Sequence, residues 1–219
     1  MTLMANTIFA LSSGAPPSGV AVVRISGPAA FDAARQLTRK PLPAERRATV
    51  QTLRNHEDQI LDEALVLAFP APRSFTGEDC VELQLHGSRA VVNAVEKALA
   101  AIDGLRAAEA GEFSRRAFEN GRLDLVEVEG LSELIAAETE MQRQLAIEQS
   151  FGGQSEIYTN WATRLTRARA LIEAELDFSD EEDVPDSVSE QVTGDIAEFQ
   201  QEMGRHIADA RAGEIIRDG

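Results

Sequence analysis

Two charged residues sit where charge is expensive. Arg24 lies inside the apolar run Val20–Ile25, where an unpaired guanidinium is costly to desolvate. It needs a partner, either a carboxylate of the fold in a structural ion pair or a carboxylate or carbonyl of a ligand, which its fork of donors suits. Glu82 lies in Cys80–Leu85, where Cys80, Glu82 and Gln84 alternate with Val81, Leu83 and Leu85; this is the period of two of a half-buried strand. Its carboxylate matches two adjacent N–H donors, as on an arginine or on the aminopyrimidinone edge of a pterin. Arg24 and Glu82 can equally pair with each other.

Four further segments concentrate polar chemistry. Arg73–Asp79 is a polar loop whose one large apolar residue is Phe75, and it reads as a turn leading into the Glu82 strand. His86-Gly87-Ser88 ends that strand and opens a helix; free backbone N–H groups there can collect an anion, or Ser88 simply caps the helix. No serine or cysteine constellation near His86 points to nucleophilic catalysis, and no residue is assigned a catalytic role. Gly111–Asp124 crowds Arg115, Arg116, Arg122 and several acids around Phe113 and Phe118, which by composition is an amphipathic connecting helix. Asp177–Asp186 holds six carboxylates but lacks the glycine turn and ligand spacing of a calcium loop, so it reads as a solvated linker and no metal site is assigned.

These residues need elements to hold them. Ile8–Leu11 and Val20–Ile25 read as strands around the Gly/Pro/Ser segment Ser12–Gly19. Ser26-Gly27-Pro28 opens a short helix over Ala29–Leu37. Thr49–Leu53 and Ile60–Phe69 form a hairpin, Val91 to Ile102 is an apolar-periodic helix, and Leu105–Ala108 is a short strand. The first half is therefore α+β, a mixed sheet with two or three helices. Beyond Gly121 the strand signals stop and three long helical stripes follow: Leu125 to Ile135 onwards, Ile157 to Leu176, and Val188 to Ala210. Such stripes predict core packing within a helix bundle. Gly152-Gly153 separates the first two, and the acidic segment separates the second from the third. The expected domains are residues 1–120 and 121–219.

Composition narrows the class. The chain has 219 residues, 43% hydrophobic and 26% charged, an ordinary globular balance. No apolar run approaches the roughly 20 residues of a membrane-spanning helix, and Met1–Leu11 lacks the basic start of a secretory signal; the expected location is the cytoplasm. A lone cysteine, Cys80, excludes an internal disulfide and a Cys-rich metal site. The net charge of −16 is uneven: 13 basic and 14 acidic residues up to position 120, then 8 and 23. The acidic half is ill suited to gripping a phosphate backbone. The two lysines, Lys40 and Lys97, follow Arg39 and Glu96 rather than glycine, so the chain has no Walker A loop.

Taken together, several motifs resemble one family: Asn6-Thr7-Ile8-Phe9-Ala10, Val23-Arg24-Ile25-Ser26-Gly27-Pro28, Ser74-Phe75-Thr76-Gly77-Glu78-Asp79, His86-Gly87, Gly111-Glu112-Phe113-Ser114-Arg115-Arg116-Ala117-Phe118, Asn120-Gly121-Arg122-Leu123-Asp124-Leu125, and Asp177-Phe178. The chain resembles the N-terminal part of the tRNA modification GTPases of the MnmE (TrmE) family, in the family's order and over essentially its whole length. The resemblance implies a folate-binding, dimerising N-terminal domain followed by the first part of a helical domain. It also implies that residue 219 falls about where the GTPase domain would begin, so GTP, Mg and K belong to the full-length family and GTP hydrolysis is not expected of this chain by itself. Helices meant to pack against later ones would then expose an apolar seam and make the second half the less stable.

The resemblance implies a tetrahydrofolate site, for a 5-formyl or 5,10-methylene derivative, at Arg24, Glu82 and Arg122. Glu82 would accept from the pterin ring while Arg24 and Arg122 neutralise carbonyl or glutamate charge. It further implies homodimerisation, action with the FAD-dependent partner MnmG, and addition of a 5-carboxymethylaminomethyl or aminomethyl group to wobble uridine of tRNA. Two departures from the family pattern are Ala110, usually Pro, and Arg122, often Lys; the second keeps the charge. A structural dimerisation and docking module that binds no folate is the alternative. A self-contained aminomethyl-transferring enzyme would demand an acid or base that the sequence does not identify.

Overall fold

The structure is a computed structural model that describes residues 6–150, 153–177 and 188–218. The chain forms two compact units, Met1–Leu123 and Asp124–Gly219.

In the first unit six strands build one mixed sheet: β1 (Thr7–Leu11), β2 (Val20–Ser26), β3 (Thr49–Arg54), β4 (Ile60–Phe69), β5 (Cys80–His86) and β6 (Leu105–Ala107). Their spatial order is β3-β4-β5-β2-β1-β6. All pairings are antiparallel except β1 with β6, which the crossover through α2 (Arg89–Ala100) makes parallel. The alternation read from the sequence decides the faces. Ala21, Val23 and Ile25 of β2, Val81, Leu83 and Leu85 of β5, and Ala64 and Val66 of β4 are buried. They form one core with Ala30, Ala33, Ala34 and Leu37 of α1 (Ala30–Thr38) and Val92, Val95 and Leu99 of α2. The intervening positions Val22, Arg24, Glu82 and Gln84 fall on the opposite face and are half-buried. A third helix, α3 (Glu112–Glu119), closes the unit. The expected α+β class describes this architecture.

The second unit differs from the sequence expectation in two ways. Four helices stand where three stripes were read: α4 (Leu125–Ala136), α5 (Glu140–Ser150), α6 (Gly153–Asp177) and α7 (Val188–Asp218). The first stripe breaks at Thr139, whose hydroxyl accepts from Gln142 N while Gln142 Oε1 accepts from the backbone of Glu138 and Thr139. This reciprocal N-cap starts a new helix. Asp124 and Glu127 form a full capping box for α4. The stripes are also only partly core. Ala168, Val192 and Phe199 are buried, whereas Leu165, Ile172, Leu176 and Ile207 remain exposed, because the helix contacts cover only part of each apolar face. The seam between α6 and α7 is Trp161 against Phe199, with Glu202 accepting from Trp161 Nε1 and Arg164. Residues 178–186 of the acidic segment lie outside the described residues, and no described helix is long and apolar enough to cross a membrane.

Candidate functional site

Antiparallel register places Arg24 directly opposite Glu82. Arg24 donates from Nε and Nη2 to Glu82 Oε1, at 3.1 and 2.9 Å. Both bonds land on one oxygen, and the two side chains keep 22% and 21% of their exposure. The pair is thus neither buried away nor fully solvated. Two aromatic rings flank it: the Arg24 guanidinium lies 4.9 Å from the Phe75 ring centroid and 5.5 Å from that of Phe113, within cation–π range.

Phe75 and Phe113 come from the Arg73–Asp79 loop and from α3, and a buried network fixes both. Ser26, two residues beyond Arg24 on β2, meets Thr76 at 2.7 Å and donates to Glu78 at 2.7 Å. Arg116 of α3 donates to both Glu78 oxygens at 3.1 Å, to Glu112 at 3.0 Å and to the Asn6 carbonyl at 3.0 Å. Glu112 also accepts two bonds from Arg106, at 2.8 and 2.6 Å. Arg116 and Glu112 are almost wholly buried, a placement that is tolerable because each is charge-paired and multiply hydrogen-bonded. The Arg106 hydrogen bonds, outweighing the cost of burial and helped by Glu109 N–H and Arg116, hold the Glu112 carboxyl at about 2 against an ordinary 4.5; Glu112 in turn raises Arg106.

Arg122 packs against the same loop at Gly77. Asn120 donates to the Thr76 carbonyl at 2.7 Å. The Arg122 Cγ lies 3.0 Å from where a Cβ on Gly77 would stand, and Gly77 has φ +80, so the loop needs glycine there for both conformation and room. The Arg122 side chain is exposed and makes no hydrogen bond to Arg24 or Glu82. Of the three residues assigned from the sequence, two are in direct contact, and the third joins them through the loop that carries Phe75.

Sequence reasoning took the Arg73–Asp79 loop for a turn and the α3 segment for a connecting helix, and so missed Glu78, Glu112 and Arg116. The i,i+4 spacing of Glu112 and Arg116 beside Phe113 and Ala117 was the available signal. At His86-Gly87-Ser88 the blander reading holds: Ser88 accepts from Val91 N as the α2 cap. Gly87 is required by close packing, since a Cβ would stand 2.3 Å from the Ser18 carbonyl oxygen. His86 Nδ1 meets Asp62 at 2.7 Å.

Known proteins match along the whole of this architecture. Residues 7–122 match the family model of the GTP-binding protein TrmE N-terminus, and residues 125–219 match that of the MnmE helical domain. A tRNA modification GTPase MnmE of Sinorhizobium medicae is 64% identical over 214 residues, covering 98% of this chain and 48% of the relative. Proteins of the same name from Rhizobium johnstonii and Agrobacterium fabrum are 61% and 60% identical, over 100% and 98% of this chain and 50% and 49% of their own lengths. The chain spans about half the length of the curated relatives it matches. With both domain models matched in order on the two units described above, the chain belongs to the MnmE family of tRNA modification GTPases and comprises its TrmE N-terminal and helical domains.

Proposed function

We propose that this chain binds a tetrahydrofolate derivative, 5-formyl or 5,10-methylene, at Arg24, Glu82 and Arg122, and that it forms a homodimer through its first unit. In this reading it is the one-carbon-carrying part of a cytoplasmic protein that acts with FAD-dependent MnmG to place an aminomethyl or carboxymethylaminomethyl group on wobble uridine of tRNA. GTP, Mg and K would act in the remaining half of the longer relatives. The observation that carries the reading is the half-buried Arg24–Glu82 pair between Phe75 and Phe113. A folate is a flat ring with adjacent N–H donors and an anionic tail. Glu82 keeps one oxygen without a protein donor among the described residues and can accept from the ring edge. Phe75 and Phe113 supply apolar faces, and the exposed Arg122 guanidinium suits a carboxylate.

A second reading is favoured by the ion pair itself: Arg24 and Glu82 already satisfy each other at 2.9 Å, as a purely structural pair would. Replacing Glu82→Gln separates the two. The folate reading expects at least about a tenfold loss of 5-formyltetrahydrofolate affinity, the size of one lost charge-assisted bond, with thermal stability little changed. Lost stability with ligand affinity unaltered supports the structural pair and contradicts the folate site.

A further inference from the structure

We propose that the basic surface along the edge strand β3 docks the phosphate backbone of an RNA. The inference rests on the tRNA part of the reading above and is independent of folate. Charge leaves few places for RNA to approach. Residues 124–219 carry 7 basic and 23 acidic side chains, and residues 1–123 carry 14 of each. Within the neutral first unit, residues 35–54 hold Arg35, Arg39, Lys40, Arg46, Arg47 and Arg54 against Glu45, and the neighbouring strand β4 sets Glu63 and Asp62 opposite Thr52 and Leu53, so the excess of cations lies toward the two ends of β3.

The fold spreads this segment along the outer strand of the sheet. At one end, Arg39 follows α1 and donates to the Asn55 carbonyl at 3.2 Å, beside Arg54, the last residue of β3. At the other end, the Arg46 backbone bonds to Ala68 at 2.9 Å and its guanidinium to the Arg73 carbonyl at 2.8 Å. The six residues of β3 between them span about 20 Å at a strand's rise, room for several phosphates. Arg39, Lys40, Arg46 and Arg47 are exposed, and Arg39, Lys40 and Arg47 have no carboxylate partner among the described residues. Arg35, Arg46 and Arg54 of the segment are paired with Asp32, Glu45 and Asp58, as Arg24, Arg106, Arg115 and Arg116 are with acids elsewhere, so the cations left for phosphate are Arg39, Lys40 and Arg47.

Arginine forks suit phosphate oxygens. An anionic membrane is the poorer partner, because a helix that inserts at a lipid surface must offer an apolar face, and that of α1, Ala33, Ala34 and Leu37, is buried in the core. Cations beside an edge strand also discourage edge-to-edge pairing. Charge reversal preserves that deterrent while inverting the attraction to RNA, which makes it the discriminating change.

The test is fluorescence anisotropy of labelled tRNA with this chain and with Lys40→Glu/Arg47→Glu, each at about 50 and 200 mM salt. Lys97→Glu/Arg89→Glu, on the exposed side of α2, is the control, and circular dichroism melts verify that each variant is folded. The expected result is salt-sensitive binding by the parent and the control, and at least about tenfold weaker binding by Lys40→Glu/Arg47→Glu with a salt slope shallower by about 2. Equal binding by parent and Lys40→Glu/Arg47→Glu overturns the proposal, as does a parent that ignores tRNA or prefers phosphatidylglycerol vesicles to it. A parent that binds tRNA through these residues but does not take up 5-formyltetrahydrofolate removes the folate reading and leaves this one standing.

Discussion

At the residue scale, the charges that organise the candidate site divide by depth. Arg24 and Glu82 keep about a fifth of their exposure, while Arg116 and Glu112 keep 2% and 1%. The deep pair ties the Phe75 loop to α3, leaving the shallow pair at the surface. Its dependence on Glu112 has a pH signature. Because the native carboxyl titrates at about 2 rather than 4.5, the unfolded chain binds the extra proton first as pH falls. The stabilisation is therefore full above about 4.5 and is lost as pH drops through 2, in total on the order of 3 kcal/mol. Urea midpoints measured across this window should fall, and the fall should be smaller in Glu112→Gln; equal slopes in both proteins contradict the assignment. Arg24 was legible in the sequence because a charge inside an apolar run needs an explanation. Glu78 and Arg116 were not, because their segments look like ordinary polar surface. Their placement depends on partners 38 and 110 positions apart in the chain.

At the element scale, the strands were the clearest feature, since their period of two survives in the structure as buried Val23, Ile25, Val81 and Leu83 alternating with Arg24 and Glu82. The hairpin of Thr49–Arg54 with Ile60–Phe69 is the one read from the sequence, extended by one residue. The break between α4 and α5 was missed. Its signature, Thr139 followed three residues later by Gln142, is local and polar, and an apolar stripe running through it conceals it. Gly87 shows the converse limit: its type was noted, but its reason, contact with Ser18 across 69 positions of chain, lies in tertiary structure. Gly87→Ala should cost about 1–3 kcal/mol in denaturant unfolding, the range for overpacking, because the added Cβ meets the Ser18 backbone as well as its hydroxyl. Unchanged stability would show that the Ser12–Gly19 loop yields freely.

At the scale of the whole molecule, the two units differ in how well they are filled. The first holds a continuous core of buried strand and helix residues, whereas in the second the buried apolar side chains among the described residues are Ala146, Ala168, Val192 and Phe199. Fewer buried contacts mean lower local stability. Trp161, the one tryptophan, lies in α6 and reports on the second unit alone. Its fluorescence should therefore change in an earlier thermal transition than the final one seen by calorimetry; a single coincident transition would contradict this. The central claim concerns the first unit, and calorimetric titration of this chain with 5-formyltetrahydrofolate, with light scattering on the same sample, tests it most directly. Saturable binding of one ligand per chain by a dimer is the predicted result, and a folded chain that takes up no folate would contradict it.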